Sequence, residues 1–266
     1  MTSARTIAIG ALALALIACL PGCRKNDRRV LNVMGSTSIQ PFAEMLAEEY
    51  NGRQNELDVE VQGGGSTAGI QAVANGIAQV GMCSRSLNPK EQFTAIPIAR
   101  DGIAMVVHST NTVDGLQLAD IRALFSGRVA NWRQLGGPDR PVRLITREEG
   151  SGTREAFVKL VMGKERMSRQ ALTQESNGAV RELVQHDPAA IGYMSLGLVG
   201  QSLKSLRVEG AQPTSQNVMN GSYPLVRPFL FVVKGQPTAD ARKFIDFVLS
   251  GEAQGMLERE GLVRAK

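Results

Sequence analysis

At 266 residues the chain is long enough for one large or two small domains with an ample core. Its 43% hydrophobic and 21% charged residues exclude a disordered or fibrous protein. The net charge of +5 raises nucleic acid as a partner, but the Lys and Arg residues are dispersed, and one Trp and three Tyr leave little to stack on bases, so no nucleic-acid binding is expected.

Arg5 precedes Thr6 to Ala18, a nearly apolar run too short to span a bilayer and shaped like the central segment of a secretory signal. Export is the expectation. Two small-residue sites ending in cysteine follow, Leu16-Ile17-Ala18-Cys19 and Leu20-Pro21-Gly22-Cys23, and both resemble the lipoboxes of bacterial lipoproteins, where the cysteine carries the lipid. Residues 1–23 are read as the signal and lipobox region, with Cys19 as the acylated residue because its preceding residues are the more usual ones, and Cys23 as the alternative. Residues 24–29 form a charged tether. Beyond it only Cys83 remains, so no disulfide framework is expected, and with His108 and His186 far apart neither a metal site nor a cofactor is.

Val30 to Met34 reads as a buried strand, Gly35-Ser36-Thr37-Ser38 as a turn, and Pro41 to Tyr50 as a helix with Phe42, Met45 and Leu46 on one face. Leu57 to Gln62 repeats the pattern, running through Gly63-Gly64-Gly65-Ser66-Thr67 into a helix carrying Ile70 and Val73. Ala78 to Cys83 is a further strand, ending in Ser84-Arg85. Thr94 to His108 has two strand-like halves around Asp101-Gly102 and reads as a crossing from one lobe to another. Leu118 to Phe125 is a short helix stopped by Gly127, and Trp132 anchors the turn-rich connector behind it.

Arg143 to Thr146 is a strand, Gly150 to Thr153 a tight loop, and the dozen residues that follow a helix with Ala156, Phe157, Leu160 and Val161 apolar. This third strand-turn-helix unit carries the clearest chemistry. The first N–H groups of a helix lack carbonyl partners and point with the positive end of its dipole toward the preceding loop, which suits an anion. Ser151 and Thr153 add hydroxyl donors, and Arg147 a guanidinium fork that spans two oxygens of a tetrahedral oxyanion. Ser176-Asn177 then reads as the cap of a helix over 178–186, capping being favoured for Asn177 over a place in the cleft, and Ala190 to Met194 as a strand. Pro224 to Val233 is the return crossing, and amphipathic helices over 238–249 and 252–260 close the first lobe. An enzyme is not expected: Glu149 breaks a Gly-x-Ser-x-Gly elbow around Ser151, and Gly163-Lys164 lacks the rest of a P-loop.

Gly35 to Ser38, Gly64-Gly65-Ser66-Thr67, Ser84-Arg85, Phe125-Ser126-Gly127 through Asn131-Trp132, Arg147 to Thr153 and Ile191-Gly192-Tyr193 together resemble the phosphate-binding proteins of ABC transporters, over roughly residues 30 to 260. The resemblance implies an α/β, two-lobed type II periplasmic-binding-protein fold, with residues 30–105 and 226–266 in lobe 1 and 106–225 in lobe 2. Two crossover strands would join the lobes around a cleft that closes on dehydrated phosphate. It places Thr37, Ser38, Ser66, Arg147, Ser151, Gly152 and Thr153 at the ligand. Arg85 stands where some members have an aspartate; it adds charge but has no acceptor for the proton of hydrogen phosphate, so discrimination against sulfate is open. The implied partners are inorganic phosphate, a membrane permease, and a membrane held through the lipid anchor at a periplasmic or cell-surface face. The protein itself would be a monomer. A binding protein for sulfate or molybdate, or a phosphate sensor uncoupled from uptake, is the alternative.

Overall fold

The computed structural model describes residues 28–265, so the signal region, both lipobox cysteines and residues 24–27 of the tether lie outside the described residues. Strand β1 (Arg29–Gly35) starts one position ahead of the expected Val30 and buries Leu31, Val33 and Gly35 on one face. Pro41 sits in the first turn of α1 (Gln40–Gly52), where its missing N–H costs nothing, and the helix buries Phe42, Ala43, Leu46 and Ala47. Strand β2 (Leu57–Gly63) lies parallel to β1, and after α2 (Ser66–Ala74) strand β3 (Val80–Cys83) pairs with the other edge of β1.

Strand β4 (Thr94–His108) is one continuous element of 15 residues, so Asp101-Gly102 lies inside a strand and does not separate two. Packing explains the glycine. A Cβ at Gly102 would meet the side chains of Val218 and Leu196 at 3.0 and 3.3 Å.

Short β5 (Gly115–Leu116) leads to α3 (Leu118–Ser126), which ends at Gly127 in the left-handed conformation. Trp132 is buried in the connector, its indole N–H donating to the Ala189 carbonyl at 2.9 Å. Strand β6 (Arg143–Arg147) runs into α4 (Gly152–Phe157), shorter than the dozen residues expected because the backbone continues as a π turn over Val158–Met162. Then come β7 (Leu172–Gln174), α5 (Asn177–His186), β8 (Ala190–Ser195), β9 (Leu203–Ser205), β10 (Arg207–Val208), α6 (Ser215–Met219) and β11 (Val226–Val233). Helices α7 (Ala239–Val248) and α8 (Gly251–Arg259) and the short β12 (Val263–Arg264) complete the described chain.

The strands follow the order β2-β1-β3-β11-β4-β8-β6-β7, and the sheet changes character inside β4. Residues Thr94 to Gly102 pair with β11, whereas Ile103 to Val107 pair with β8. Two lobes result, each with its own apolar core. One core draws on residues between Leu31 and Ala99 and between Phe229 and Leu262, the other on residues between Ile103 and Val226 with Val263 added. This α/β, two-lobed architecture brings the carboxyl ends of β1 and β3 and those of β6 and β8 toward one another, the place where open α/β sheets bind ligands. No helix among the described residues is long and apolar enough to cross a membrane.

Candidate functional site

In lobe 1 three turns are tied into one platform. The Ser36 N–H donates to the Met82 carbonyl and the Gly65 N–H to the Gly35 carbonyl, each at 2.9 Å. Gly35 must be glycine: its φ is +140°, and a Cβ would lie 2.4 Å from the Met82 oxygen. On this platform the hydroxyls of Ser36, Ser84 and Ser66 meet. Ser36 Oγ donates to Ser84 Oγ at 2.8 Å, the Ser84 N–H donates to Ser66 Oγ at 3.0 Å, and the Ser66 and Ser84 hydroxyls are 3.3 Å apart. All three side chains are buried.

Lobe 2 supplies the opposite wall. Ser151 caps α4 by accepting from the Arg154 N–H at 3.3 Å, which leaves its own hydroxyl hydrogen free to donate elsewhere. Gly152, at the first position of α4, presses on lobe 1: a Cβ there would lie 2.2 Å from Ser66 Oγ and 2.7 Å from Ser84 Oγ. The lobes also meet where Thr153 Oγ1 and Ser38 Oγ share a hydrogen bond of 2.8 Å and where the Thr67 N–H donates to the Gly150 carbonyl at 3.1 Å.

Arg147, at the end of β6, is 1% exposed. Its Nε and Nη2 are held by Glu148 at 2.9 Å each, its Nη2 also reaches Thr37 Oγ1 at 3.1 Å, and the Gln174 and Glu175 carbonyls accept from the same two nitrogens at 3.1 Å. Nη1 is different. It is buried without a hydrogen-bond partner among the described residues. An unpaired buried guanidinium nitrogen is costly, and an anion oxygen is its natural partner. Tyr193 buttresses this end of the strand, stacked at 4.0 Å on Phe157 and bonded through its hydroxyl to Thr146 Oγ1 at 2.7 Å and to the Arg147 N–H at 3.3 Å. Burial pushes its phenol up from the ordinary value.

The candidates Thr37, Ser38, Ser66, Arg147, Ser151, Gly152 and Thr153 therefore lie at one junction between the lobes. Arg85 does not join their hydrogen bonds. Its guanidinium is clamped by Glu91 at 2.8 Å and Glu155 at 2.7 Å, on the wall of a neighbouring groove of about 330 Å³. The Arg85 guanidinium holds the Glu91 carboxyl below its usual range. Consecutive residues at a strand end point to opposite sides, so it is Ser84, one position earlier, whose side chain turns to the junction.

Four further residues reach the junction that sequence reasoning did not single out for it. Arg227 of β11 donates through Nη1 to Thr153 Oγ1 at 2.7 Å and is held by Asp101 of β4 at 2.8 Å. Both partners are buried, and burial pushes the Asp101 carboxyl up and the Arg227 guanidinium down, each against the pull of the other. Ser195, ending β8, donates to Asp101 Oδ1 at 2.9 Å. Asn177 donates to Ser38 Oγ at 2.9 Å; Ser176 caps α5, so Asn177, expected as a cap, faces the cleft instead.

The model of the PBP superfamily domain matches residues 24–252. The phosphate-binding protein PstS of Bacillus subtilis is 30% identical over 230 residues, covering 84% of this chain and 76% of that protein. The chain belongs to the phosphate-binding-protein family of this superfamily. Solved members share the fold. A structure from Clostridium perfringens with bound phosphate, described as a phosphate ABC transporter substrate-binding protein, is 36% identical and superposes with a TM-score of 0.86, covering 90% of this chain and all (100%) of that one. An ABC-type phosphate transport receptor from Vibrio cholerae is also 36% identical, with a TM-score of 0.74 over 88% of this chain and 99% of its own.

Proposed function

We propose that this protein captures inorganic phosphate between its lobes outside the cytoplasm and delivers it to the membrane permease of an ABC transporter, while a lipid on Cys19, or alternatively Cys23, keeps it at the membrane. In this reading the two jaws are those expected from the sequence, residues 30–105 with 226–266 and residues 106–225, except that the boundary in β4 moves to Gly102–Ile103, where its pairing changes, and the protein works as a monomer that opens and closes without chemistry on its ligand.

The observation that carries the reading is the buried Nη1 of Arg147, without a hydrogen-bond partner among the described residues, on a guanidinium that reaches Thr37, the neighbour of Ser38, while Ser38 and Thr153 form a hydroxyl pair contributed one from each lobe. Ser66, Ser151, Thr37 and the amides of Gly152 and Thr153, which precede the first helical carbonyl partner, complete a donor-rich lining for a tetrahedral anion. Ser84 is added to this set on its geometry, and Arg85 becomes a rim residue that shapes the groove beside it. Charge-assisted hydrogen bonds contribute about 1.5–3 kcal/mol each, so a handful exceeds the ~8 kcal/mol of micromolar binding after desolvation and closure are offset.

Titration calorimetry with phosphate, sulfate and molybdate tests the assignment. Phosphate is expected to bind the wild type, and Arg147→Ala to weaken it at least tenfold, since one charge-assisted bond corresponds to roughly that factor. A wild type that binds sulfate or molybdate in preference to phosphate would replace the ligand. Unchanged phosphate affinity in Arg147→Ala would remove that arginine from the site.

A further inference from the structure

The hydrogen bonds around the junction close into a ring that spans both lobes and both crossing strands. Starting at Ser38 Oγ, the ring runs to Thr153 Oγ1 at 2.8 Å, to Arg227 Nη1 at 2.7 Å, and through the Arg227 fork to Asp101 Oδ2 at 2.8 and 3.0 Å. It returns from Asp101 Oδ1 to Ser195 Oγ at 2.9 Å, from the Ser195 N–H to Asn177 Oδ1 at 3.1 Å, and from Asn177 Nδ2 to Ser38 Oγ at 2.9 Å. All six side chains are buried.

Counting hydrogens shows what the ring does. Guanidinium nitrogens only donate, so Thr153 Oγ1 must accept from Arg227. The Ser195 N–H also only donates, which fixes Asn177 Oδ1 as acceptor and turns the amide hydrogens toward Ser38. Ser38 Oγ must then accept from Asn177. Each of the two hydroxyls retains a single hydrogen and already receives one from a fixed donor. With an oxyanion at the junction both can donate to it; with none, only one can be satisfied by the other.

We propose that Asp101, Arg227, Ser195 and Asn177 are positioning residues that fix the Ser38 and Thr153 hydroxyls as hydrogen donors toward the bound anion, and so select an unprotonated oxygen at that pole and couple its capture to cleft closure. The proposal rests on the phosphate reading above and assigns roles to residues beyond its ligand shell. Asp101 is the anchor: its carboxylate orients the Arg227 fork on one side and the Ser195 hydroxyl on the other. Since Asp101 and Arg227 belong to the two crossing strands, the polarity of the pocket is set from the strands about which the lobes turn.

Substitution at Asn177 tests the polarity directly. Asn177→Asp keeps the shape and the acceptor for Ser195 but turns the donor at Ser38 into an acceptor, whereas Asn177→Ala removes both. A role in packing alone ranks Asp closer to wild type than Ala; the ring ranks it lower. Isothermal titration with inorganic phosphate is expected to show affinity reduced about tenfold in N177A and at least about a hundredfold in N177D. X-ray scattering at saturating phosphate should show a contraction in the wild type that is diminished in N177D. A paired variant, Asp101→Asn with Arg227→Gln, removes both charges together so that no lone ion stays buried, and is expected to lose at least tenfold in phosphate affinity while retaining a cooperative unfolding transition. Wild-type affinity in that pair, or an N177D that binds phosphate better than N177A, overturns the ring. A wild type that ignores phosphate overturns the reading beneath it, an outcome visible before any variant is made.

Discussion

Gly152→Ala adds one methyl group at a tight contact between the lobes. The new Cβ would lie 2.2 Å from Ser66 Oγ, 2.7 Å from Ser84 Oγ and 3.0 Å from Ser66 Cβ. Neither serine yields easily, because the Ser84 N–H holds Ser66 Oγ and Ser36 holds Ser84. Gly152 itself is not among the glycines with positive φ, and alanine is favoured over glycine in a helix by up to about 1 kcal/mol, so the lobe that carries it is not strained. The penalty thus falls on closure alone. Overpacking a tight contact costs about 1–3 kcal/mol, and at ~1.4 kcal/mol per decade phosphate affinity should fall roughly five- to 150-fold. Calorimetry gives the affinity, thermal unfolding without phosphate checks that stability is kept, and X-ray scattering reports whether phosphate still contracts the molecule. Gly251→Ala is the control, since nothing lies within 4 Å of its Cβ position. Phosphate affinity within twofold of wild type in Gly152→Ala, with contraction intact, would refute the closed geometry as the binding-competent state.

Gly35→Ala combines a φ of +140° with a Cβ 2.4 Å from the Met82 carbonyl oxygen, and chemical denaturation should record a loss of at least about 2 kcal/mol, with no compensation from phosphate. Trp132→Phe removes the indole N–H from the half-buried Ala189 carbonyl, which keeps the Arg143 N–H at 3.0 Å as its other donor, so the same assay should record a loss of only about 0.5–1.5 kcal/mol. Glu91→Gln probes the clamp on Arg85. Because Arg85 holds the Glu91 carboxyl below its usual range, its stabilisation is present above the unfolded-state value near ~4.3 and is lost as pH falls through the lower folded-state value. Denaturation midpoints of wild type and E91Q should therefore differ at pH 7 and converge as pH falls through that lower value; a gap that is constant with pH would show that charge is not the cause.

The glycine-rich turns after β1 and β2 and the loop before α4 were legible because they combine three local signals: an alternating or apolar run, glycines and hydroxyl residues, and a helical period. What stayed hidden was long-range. Asp101 reads as turn punctuation beside Gly102 and Arg227 as one residue of an apolar run, yet each is a buried charge inside a long strand, whereas Arg100 next to Asp101 is exposed. Two opposite charges in two crossing strands are expected to find each other, since neither tolerates burial alone. That signal was in the sequence. Ser84 was missed for a different reason: the charge of Arg85 drew attention, whereas the pleat decides which of two neighbours faces the cleft. Asn177 is the subtler case, because Ser176 and Asn177 are both good caps and only the tertiary position of Ser38 decides between them.

Three guanidiniums at or beside the junction already have a carboxylate at their side: Glu148 for Arg147, Asp101 for Arg227, and Glu91 with Glu155 for Arg85. At these three a guest anion would meet a positive charge that is already paired. Ionic strength then has little to screen, and raising salt from 0.01 to 1 M, which shrinks the Debye length from roughly 30 to 3 Å, should leave the dissociation constant nearly flat. Such a jaw holds its guest as firmly in brine as in dilute buffer.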